Sequence, residues 1–414
     1  MPYKQTATPC VVRLVALRGL SPAMRAQCQA LRAEAGRVWT DLVRLHAQVR
    51  AQGRYLSAGE LEQATKGGQY ALHSQSVQAL CQKFAANVAT ATELRRQEWA
   101  ETGHLQTASP HHPKGYQTVV WKDQALTILP SGSLRLPTGA QRPPLLLPLP
   151  EDYRLAHLRR AELTWRADHY ELCLTLETGE ALPPPLPEGA VAGIDLGEVH
   201  IAAVTTTNRQ ALVVSGRQLR ACKHWRNKVH RVLQEQLSRC QVGSRRTKRL
   251  LKRKAQASAK LYRQQRDLLH QAARKVVNFC AQEGVTHLAV GDVRDIQTGV
   301  SLGKQTTQKI SQWPHGQFTR YVREQAARLG MVVEWIDEAY STRTCCVSGH
   351  IQPSSPRGRH FRCLGCGARV HREVNGASTI CSKAVYGVYS KIQADTVKYL
   401  RPIGGAPLTR AVSS

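Results

Sequence analysis

Acidic residues that lie far apart in the chain could together form one metal site. The first is Asp195, within residues 193–197, the second pair is Asp337 and Glu338, and the third is Glu373. Two Mg²⁺ ions held by such carboxylate oxygens can stabilise both the attacking and the leaving oxygen of a phosphodiester. We therefore predict a site with two catalytic Mg²⁺ ions that hydrolyses a phosphodiester bond.

Cysteines between the second and third acidic segments have the spacing of an incomplete pair of zinc knuckles. One Cys-x2-Cys half-site is intact, but Ser348 stands where the other half-site would have its second cysteine. Structural zinc sites are closed by four tetrahedral ligands. We predict a structural Zn²⁺ site made of Cys345, His350, Cys363 and Cys366. The alternatives are Cys346 as the fourth ligand, and a ribbon that has lost its metal and relies on packing alone.

Basic residues outnumber acidic residues by two to one. The 414-residue chain has 58 Lys and Arg against 29 Asp and Glu, a formal net charge of +29. Such an imbalance indicates a polyanionic partner and salt-dependent binding, because counterions are released when the two associate. The predicted nucleic-acid-binding residues are Arg245, Arg246, Lys248, Arg249, Lys252, Arg253 and Lys254. The alternative for these residues is an ordinary solvated helix face.

Two classes of protein are not expected from this sequence. No run of about 18 apolar residues is present that could span a bilayer, and no N-terminal apolar stretch resembles a signal peptide. The twelve cysteines are scattered, most of them singly within apolar segments, which indicates free thiols in a reducing compartment and not a disulfide scaffold. We therefore expect a soluble cytoplasmic protein, associated with the nucleoid, that has no membrane partner and no small-molecule substrate.

The first half of the chain is predicted to be a β module with a helical insertion. Residues 9–18 are rich in β-branched residues, and residues 118–129 and 162–176 alternate like half-buried strands. Between the first two of these strands, apolar residues recur at helical spacing, most clearly over about 73–97. The Pro-rich run at 182–187 predicts a stiff, extended linker.

The second half is predicted to be an α/β domain. Its expected elements are strands at 191–196, 200–206 and 211–215, two helices within 218–282 separated by a break at 242–244, a strand at 286–290, a helix at 318–329 and a strand at 332–336. This order of elements, with acidic residues at the ends of strands, indicates an RNase H-like fold.

In these motifs the sequence resembles the TnpB nucleases of insertion-sequence transposons, whose relatives include the compact type V CRISPR effectors. Residues 193–197 resemble the first RuvC motif of that family, residues 340–345 the approach to its zinc knuckles, and residues 372–377 its third RuvC motif. Residues 119–122 and 310–318 are also similar. The order and spacing of all these segments match the family from about residue 10 to residue 382.

The resemblance implies both an organisation and a set of partners. The implied segments are a wedge-type β-barrel at 1–20 and 105–180, a helical recognition insert at 21–104, a Pro-rich linker at 181–190, a split RuvC-like nuclease at 191–342 and 370–384 with basic helices at 218–282, a zinc-ribbon insertion at 343–369, and a flexible tail at 385–414. The implied partners are a structured guide RNA and a double-stranded DNA target, with the basic helices lining the guide–target channel.

The second RuvC motif departs from the pattern of the family. Gly291 and Asp292 stand where most relatives have a catalytic Glu followed by Asp. Because neighbouring residues of a strand point to opposite faces, Asp292 cannot simply take over the role. A subset of the family carries this glutamate on a neighbouring strand, where Glu338 lies here, although Glu338 could instead cap a turn. The resemblance thus implies Asp195, Glu338 and Glu373 as metal ligands, with Asp292 as a supporting carboxylate.

The third RuvC motif has Glu373 where the family has Asp. The added methylene shifts the carboxylate by about 1 Å, and Mg²⁺ demands near-ideal octahedral geometry, so we expect weakened activity. Besides an RNA-guided DNA endonuclease, two alternatives stay open. One is a nuclease-dead, RNA-guided DNA-binding protein, which Glu373 and Ser348 motivate, and the other is a protein-only transposase.

Overall fold

The computed structural model describes residues 10–153, 157–179, 181–293, 303–354, 358–389, 392–404 and 408–411. The chain divides into two compact units, Met1–Ala181 and Leu182–Ser414. The division falls next to the Pro-rich run at 182–187. No helix in the described ranges is long and apolar enough to cross a membrane.

The described part of the first unit contains seven strands in two antiparallel sheets. The strands are β1 (Cys10–Leu17), β2 (Val119–Lys122), β3 (Thr127–Ile128), β4 (Ser133–Leu136), β5 (Leu145–Pro148), β6 (Leu158–Trp165) and β7 (Tyr170–Glu177). Their order is β1-β7-β6-β2 in one sheet and β3-β4-β5 in the other. The described strands thus form two open sheets, and the closed wedge-type barrel stays a prediction.

Three helices lie between β1 and β2, where the helical insertion is predicted. They are α1 (Pro22–Ala51), α2 (Ala58–Ala64) and α3 (Ser74–Thr102). Ser21 caps α1 by accepting a hydrogen bond from the backbone N–H of Met24, and Gly103, with φ of +68°, ends α3. Trp39 and Phe84 are buried and join α1 to α3 edge to face, with ring centroids 5.2 Å apart.

The second unit is built on a seven-stranded mixed sheet and a small two-stranded one. Its strands are β8 (Ala190–Leu196), β9 (His200–Thr206), β10 (Gln210–Ser215), β11 (Val285–Gly291), β12 (Val332–Ile336), β13 (His360–Arg362), β14 (Arg369–His371), β15 (Thr396–Leu400) and β16 (Leu408–Ala411). The large sheet has the order β12-β11-β8-β9-β10-β15-β16, and β13 pairs with β14. β8, β9 and β10 form the predicted antiparallel meander, while β11 runs parallel to both β8 and β12. The α/β, RNase H-like fold is therefore confirmed.

The helices of the second unit are α4 (Arg217–Ser238), α5 (Arg245–Gln282), α6 (Gly303–Ser311), α7 (His315–Ala327) and α8 (Arg372–Tyr386). The predicted break in the basic helical region is confirmed, because Gly243 has a φ of +80° and Ser244 caps α5. Successive residues of β9 point to opposite faces of the sheet and pack against different helices. Ala202 and Val204 belong to a core that includes the apolar face of α5, whereas Ala203 packs in a core with α8.

The prediction of a flexible tail from residue 385 is wrong for its described part. Thr396–Leu400 pairs in parallel with β10, and β16 pairs antiparallel with β15, so both strands extend the sheet. Val397 is only 3% exposed and packs in the core beneath α8. A five-residue strand carries little periodicity of its own, and the free edge of β10, which lies far away in sequence, supplies its hydrogen-bond partners.

Candidate metal centres

Three acidic residues meet at one edge of the large sheet because three parallel strands end there. Asp195 is the last but one residue of β8, Asp292 follows β11 directly, and Glu338 lies two residues beyond β12. The backbone N–H of Asp292 donates to the carbonyl of Ile336, 2.9 Å away, which ties the ends of β11 and β12 together. The carboxyl ends of parallel strands are where α/β folds place their functional side chains.

Asp195 points to the face of the sheet that α8 covers. Its neighbours on β8, Ile194 and Leu196, belong to the core on the opposite face. α8 approaches so closely that a Cβ on Gly376 would lie 2.6 Å from Oδ2 of Asp195. Glu373, in the first turn of the same helix, is three residues before Gly376 and therefore faces the same way.

Glu338 fills the space left by the missing side chain of Gly291. A Cβ on Gly291 would lie 2.5 Å from Oε2 of Glu338 and 2.9 Å from Cδ1 of Ile380 in α8. A larger residue at position 291 and the observed position of Glu338 are therefore mutually exclusive. The carboxylate of Glu338 therefore occupies the space that a side chain at position 291 would fill, on the same face of the sheet as Asp195.

Burial and neighbouring carboxylates raise the pKa values of Asp195 and Glu338. Burial and the nearby charges of Glu338 and Glu373 raise the pKa of Asp195 well above its usual range, against an opposing effect of Arg372. Burial, with Asp292 and Asp337, raises the pKa of Glu338 to about 7. Such repulsion is what a bound cation would relieve.

The donor set fits hard divalent cations such as Mg²⁺. Carboxylate oxygens are the ligands that Mg²⁺ prefers, and the ion usually keeps several waters. Asp195, Glu338 and Glu373 do not meet at one point. Among the described residues, the ligand atoms of these three do not all lie within 4.8 Å of one another. Two neighbouring ions, each held by one or two carboxylates, suit that spacing better than a single ion.

Glu373 also belongs to a second group, which the sequence analysis missed. Its Oε2 shares a hydrogen bond with Nδ1 of His200, and one ligand atom each of His200, His371 and Glu373 lies within 4.8 Å of the others. Burial lowers the pKa of His371 to about 4, so its imidazole is neutral near pH 7. The only local signal was the spacing of residues 371 and 373, since His200 lies 173 residues before Glu373.

The zinc ribbon brings together three of its four predicted ligands. One ligand atom each of Cys345, Cys363 and Cys366 lies within 4.8 Å of the others, and the Sγ atoms of Cys345 and Cys366 are 3.8 Å apart. His350 is not part of this group, because its ring packs on the backbone of Gly365, where a Cβ would lie 2.9 Å from Cγ of His350. The structure therefore does not support His350 as the fourth ligand.

Cys346, the alternative fourth ligand, does not complete the zinc site. Cys346 lies outside the thiol group, its backbone N–H donates to Oδ1 of Asn375, and burial raises the pKa of its thiol to about 12. Ser348 lies beside the thiol group, with its Oγ 3.6 Å from Sγ of Cys363. Three converging thiols fit a zinc ion, with Ser348 or a water beside the fourth position.

The thiol of Cys363 is prepared to bind a metal. Burial tends to raise its pKa, but hydrogen bonds from the backbone N–H of Cys366 and from Ser348 outweigh burial and lower the pKa to about 6. A thiolate, not a thiol, is the zinc ligand, so a depressed pKa favours binding near pH 7.

The predicted nucleic-acid-binding residues lie in the first three turns of α5. Six of the seven are exposed, and in the described part of the chain none of the six forms an ion pair: Arg245, Arg246, Lys248, Arg249, Lys252 and Arg253. Lys254 differs, because it is half-buried and its Nζ donates to Oε1 of Gln234, 2.9 Å away. The six uncompensated cations leave this end of α5 free to bind phosphates.

Comparison with known families of proteins gives two matches, which follow one another along the chain. Residues 171–297 match the family model OrfB_IS605, described as a probable transposase, and residues 315–380 match the Cas12f1-like TNB domain. No curated protein matches the chain significantly.

Solved structures share the fold at low sequence identity. A Cas12f1–sgRNA–target DNA complex is 11% identical with a TM-score of 0.62, and the match covers 87% of this chain and 83% of that one. CasPhi-2 (Cas12j) bound to crRNA is 10% identical over 91% of this chain and 98% of that one, but its TM-score of 0.46 is too low to add to the argument. Residues 171–297 are thus similar to a family of probable transposases and residues 315–380 to a Cas12f1-like TNB domain, and the two matches follow one another along a chain that shares the fold of a Cas12f1 complex.

Proposed function

We propose that this protein is an RNA-guided DNA endonuclease of a transposable element. The observation that carries the proposal is the convergence of Asp195, Glu338 and Glu373 at one sheet edge, where Gly291 leaves room for Glu338. The match to the probable-transposase model supports a transposon origin, and one solved structure with this fold is a Cas12f1 complex with a single guide RNA and target DNA. These three carboxylates would hold two Mg²⁺ ions, and Asp292 would tune Glu338 through its charge.

The side chains have distinct tasks in phosphodiester hydrolysis. When bound, a pair of divalent cations activates water and stabilises the oxygens that attack and leave. Asp195, on β8 and closely approached by Gly376, would supply the first of the three carboxylates. Burial and Asp292 raise the pKa of Glu338 to about 7, so its carboxyl group would be partly protonated near neutral pH and would lose that proton on binding a cation. His200 holds Glu373 through their hydrogen bond and so restrains the longer side chain.

The guide RNA and the target DNA are the proposed partners. The net charge of +29 and the six exposed, unpaired cations of α5 support a polyanion along this helix. Their side chains would contact phosphates and the A-form shape of a guide–target duplex, and not base edges. With such partners the protein would act at the nucleoid in the cytoplasm, and a Zn²⁺ ion in the cysteine ribbon would have a structural role.

The first experiment tests for the guide RNA. The gene is expressed with its native downstream flank, the protein is purified at high salt, and the bound RNA is sequenced. A discrete RNA that ends in a variable segment is expected, and DNA matching that segment should be cleaved in Mg²⁺ by the wild type but not by Asp195→Asn. Absence of any defined RNA, with an absorbance ratio typical of bare protein, would contradict the proposal and favour the protein-only transposase.

A nuclease-dead, RNA-guided DNA-binding protein is the second candidate. The hydrogen bond between Glu373 and His200 favours it, because it directs the third carboxylate towards an imidazole. In that case the wild-type complex should bind its target without cutting it, whereas Glu373→Asp should cut. Cleavage by the wild type at a rate equal to or above that of Glu373→Asp would rule this candidate out.

A further inference from the structure

The group around Glu373 differs chemically from the carboxylates around Asp195. His200 begins β9, His371 ends β14, and Glu373 lies in the first turn of α8. One ligand atom of each residue lies within 4.8 Å of the others. The fold therefore brings two imidazoles and one carboxylate, from three separate elements, to a single point.

The surrounding structure holds both imidazoles in place. His200 is only 7% exposed, and its Nδ1 is hydrogen-bonded to Glu373. The ring centroid of His371 lies 5.3 Å from that of His200 and 6.0 Å from that of Tyr399. In the described part of the chain, the buried Nδ1 of His371 has no hydrogen-bond partner. A buried polar atom without a partner is unfavourable, and a bound ligand at this group is a ready explanation.

Two nitrogen ligands change which metal the group prefers. Mg²⁺ selects oxygen ligands and keeps much of its water, whereas imidazole suits zinc, iron, nickel and other first-row transition metals. Two histidines and one carboxylate that leave further positions open are a ligand set for such ions. This set of ligands would also explain why position 373 has a glutamate and not the shorter aspartate. The longer side chain reaches from α8 to His200 on β9.

We propose that His200, His371 and Glu373 bind one divalent first-row transition metal ion in preference to Mg²⁺. The binding site stands on the geometry of these three residues alone. If the protein is a nuclease, one of its metal positions is then not filled by Mg²⁺. This consequence for cleavage rests on the proposed function.

Binding of Co²⁺ to the full-length protein, loaded with one equivalent of Zn²⁺, in a large excess of Mg²⁺ tests the proposal. The single equivalent of zinc fills the cysteine ribbon, because thiolates bind zinc more tightly than imidazoles do, and Mg²⁺ competes for the oxygen ligands. Calorimetry should show one Co²⁺ ion bound despite the Mg²⁺, and X-ray absorption at the cobalt edge should show scattering from imidazole rings without sulfur. Co²⁺ that is displaced by Mg²⁺, or that has only oxygen or sulfur neighbours, would overturn the proposal.

Variants separate coordination from a merely structural role of the histidines. His371→Gln and His200→Gln should each weaken Co²⁺ binding by at least ~10-fold. The matched control is His360→Gln, since His360 neighbours His371, with ring centroids 6.5 Å apart, but lies outside the metal-capable group. Equal weakening by the control, with unchanged melting temperatures, would contradict the proposal.

The outcome is independent of the proposed nuclease function. Imidazole-bound Co²⁺ in a protein that cleaves no DNA would support the metal site and contradict the nuclease. Cleavage in Mg²⁺ by a protein without imidazole-bound Co²⁺ would support the nuclease and contradict the metal site.

Discussion

Two glycines border the carboxylates of the candidate nuclease site. Gly291 lies against Glu338 and Gly376 lies against Asp195, each at a distance that admits no Cβ. In both places the backbone itself forms the wall of the site, so the acidic side chains can lie close to a strand and a helix. A glycine is required there for close approach, and not for its backbone conformation, because neither has a positive φ.

Gly291→Ala should strongly reduce cleavage. The new Cβ would lie 2.5 Å from Oε2 of Glu338 and must displace that carboxylate. A displacement of about 1 Å at a catalytic group can lower the rate by about 100-fold. The measurement is the rate of target cleavage by the guide-loaded protein in Mg²⁺.

Gly316→Ala is the matched control for this prediction, because nothing lies within 4 Å of a Cβ at that helical position. The double variant Gly291→Glu with Glu338→Ala should regain part of the lost activity, since it returns a glutamate to the neighbouring strand. Wild-type cleavage by Gly291→Ala would show that Glu338 does not act from this place.

The raised pKa of Glu338 predicts a pH-dependent effect on stability. In the folded protein without metal, its pKa rises from 4.5 to about 7, so the folded state binds the proton more tightly than the unfolded state. Glu338 therefore destabilises the fold progressively as pH rises from 4.5 through 7. Glu338→Gln should raise the melting temperature at pH above 7 and have little effect below pH 4.5. The gain in the free energy of unfolding should be at most about 3 kcal/mol.

Thermal melting of the metal-free protein across this pH range is the measurement. Asp337→Asn is the control, because hydrogen bonding to the backbone N–H of Ala339 and to Lys383 lowers the pKa of Asp337. Its carboxylate therefore stabilises the fold at high pH and loses that effect as pH falls, the opposite sign. Mg²⁺ should stabilise the wild type at high pH more than it stabilises Glu338→Gln, and an equal effect would argue against Glu338 as a ligand.

At the scale of elements, the zinc ribbon is held by two short strands and two turns. β13 and β14 pair antiparallel, and Cys345, Phe361 and Cys363 form a small buried core. Ser348 occupies the corner where a fourth thiolate would close the site. A core of this size adds little stability by itself, so metal binding and folding of the ribbon should be coupled.

Ser348→Cys should tighten zinc binding by about tenfold or more, because it adds a fourth thiolate beside Cys363. Competition with a chromogenic chelator measures the affinity. His350→Ala is the control and should leave the affinity unchanged, since His350 lies outside the thiol group. If His350→Ala released zinc as readily as Cys366→Ser does, His350 would be a ligand after all.

At the scale of the whole molecule, the fold gathers part of the positive charge of the chain at one end of a helix. The 58 basic and 29 acidic residues are spread along the chain, yet six exposed cations cluster at the start of α5, and none of the six forms an ion pair in the described part of the chain. α5 anchors its apolar face in the core beneath the sheet through residues such as Leu269 and Val276, and leaves its first turns exposed. A rigid helix can thus present the cations at fixed spacing to a phosphate backbone.

Arg249→Gln and Arg253→Gln should each weaken nucleic-acid binding for all sequences alike. Each loss of a phosphate contact should lower the slope of log affinity against log salt by about 1. Lys254→Gln is the control, because Lys254 is engaged with Gln234 and should contribute less. Titrations of guide-loaded protein with target DNA at several salt concentrations measure the slopes. An unchanged slope for both arginine variants would remove α5 from the binding surface.

The sequence by itself determined the net charge, which indicates a polyanionic partner, and the order of the elements. Net charge does not depend on folding, and strand and helix patterns are local, so the meander from β8 to β10 and the broken basic hairpin could be read directly. Motif order also predicted a resemblance to the probable transposases whose family model matches residues 171–297. The same local patterns placed Asp195 and Glu338 at the ends of strands, without showing that the two would meet.

Only the tertiary structure decided which side chains share a site. Glu338 reaches the space beside Gly291, His200 bonds Glu373 across 173 residues, and Ser348 takes the place expected of His350. The strands β15 and β16 likewise form because β15 pairs with β10 and β16 pairs with β15. Each of these contacts depends on which elements pack together and how closely, and no pattern within a short stretch of sequence records that distance.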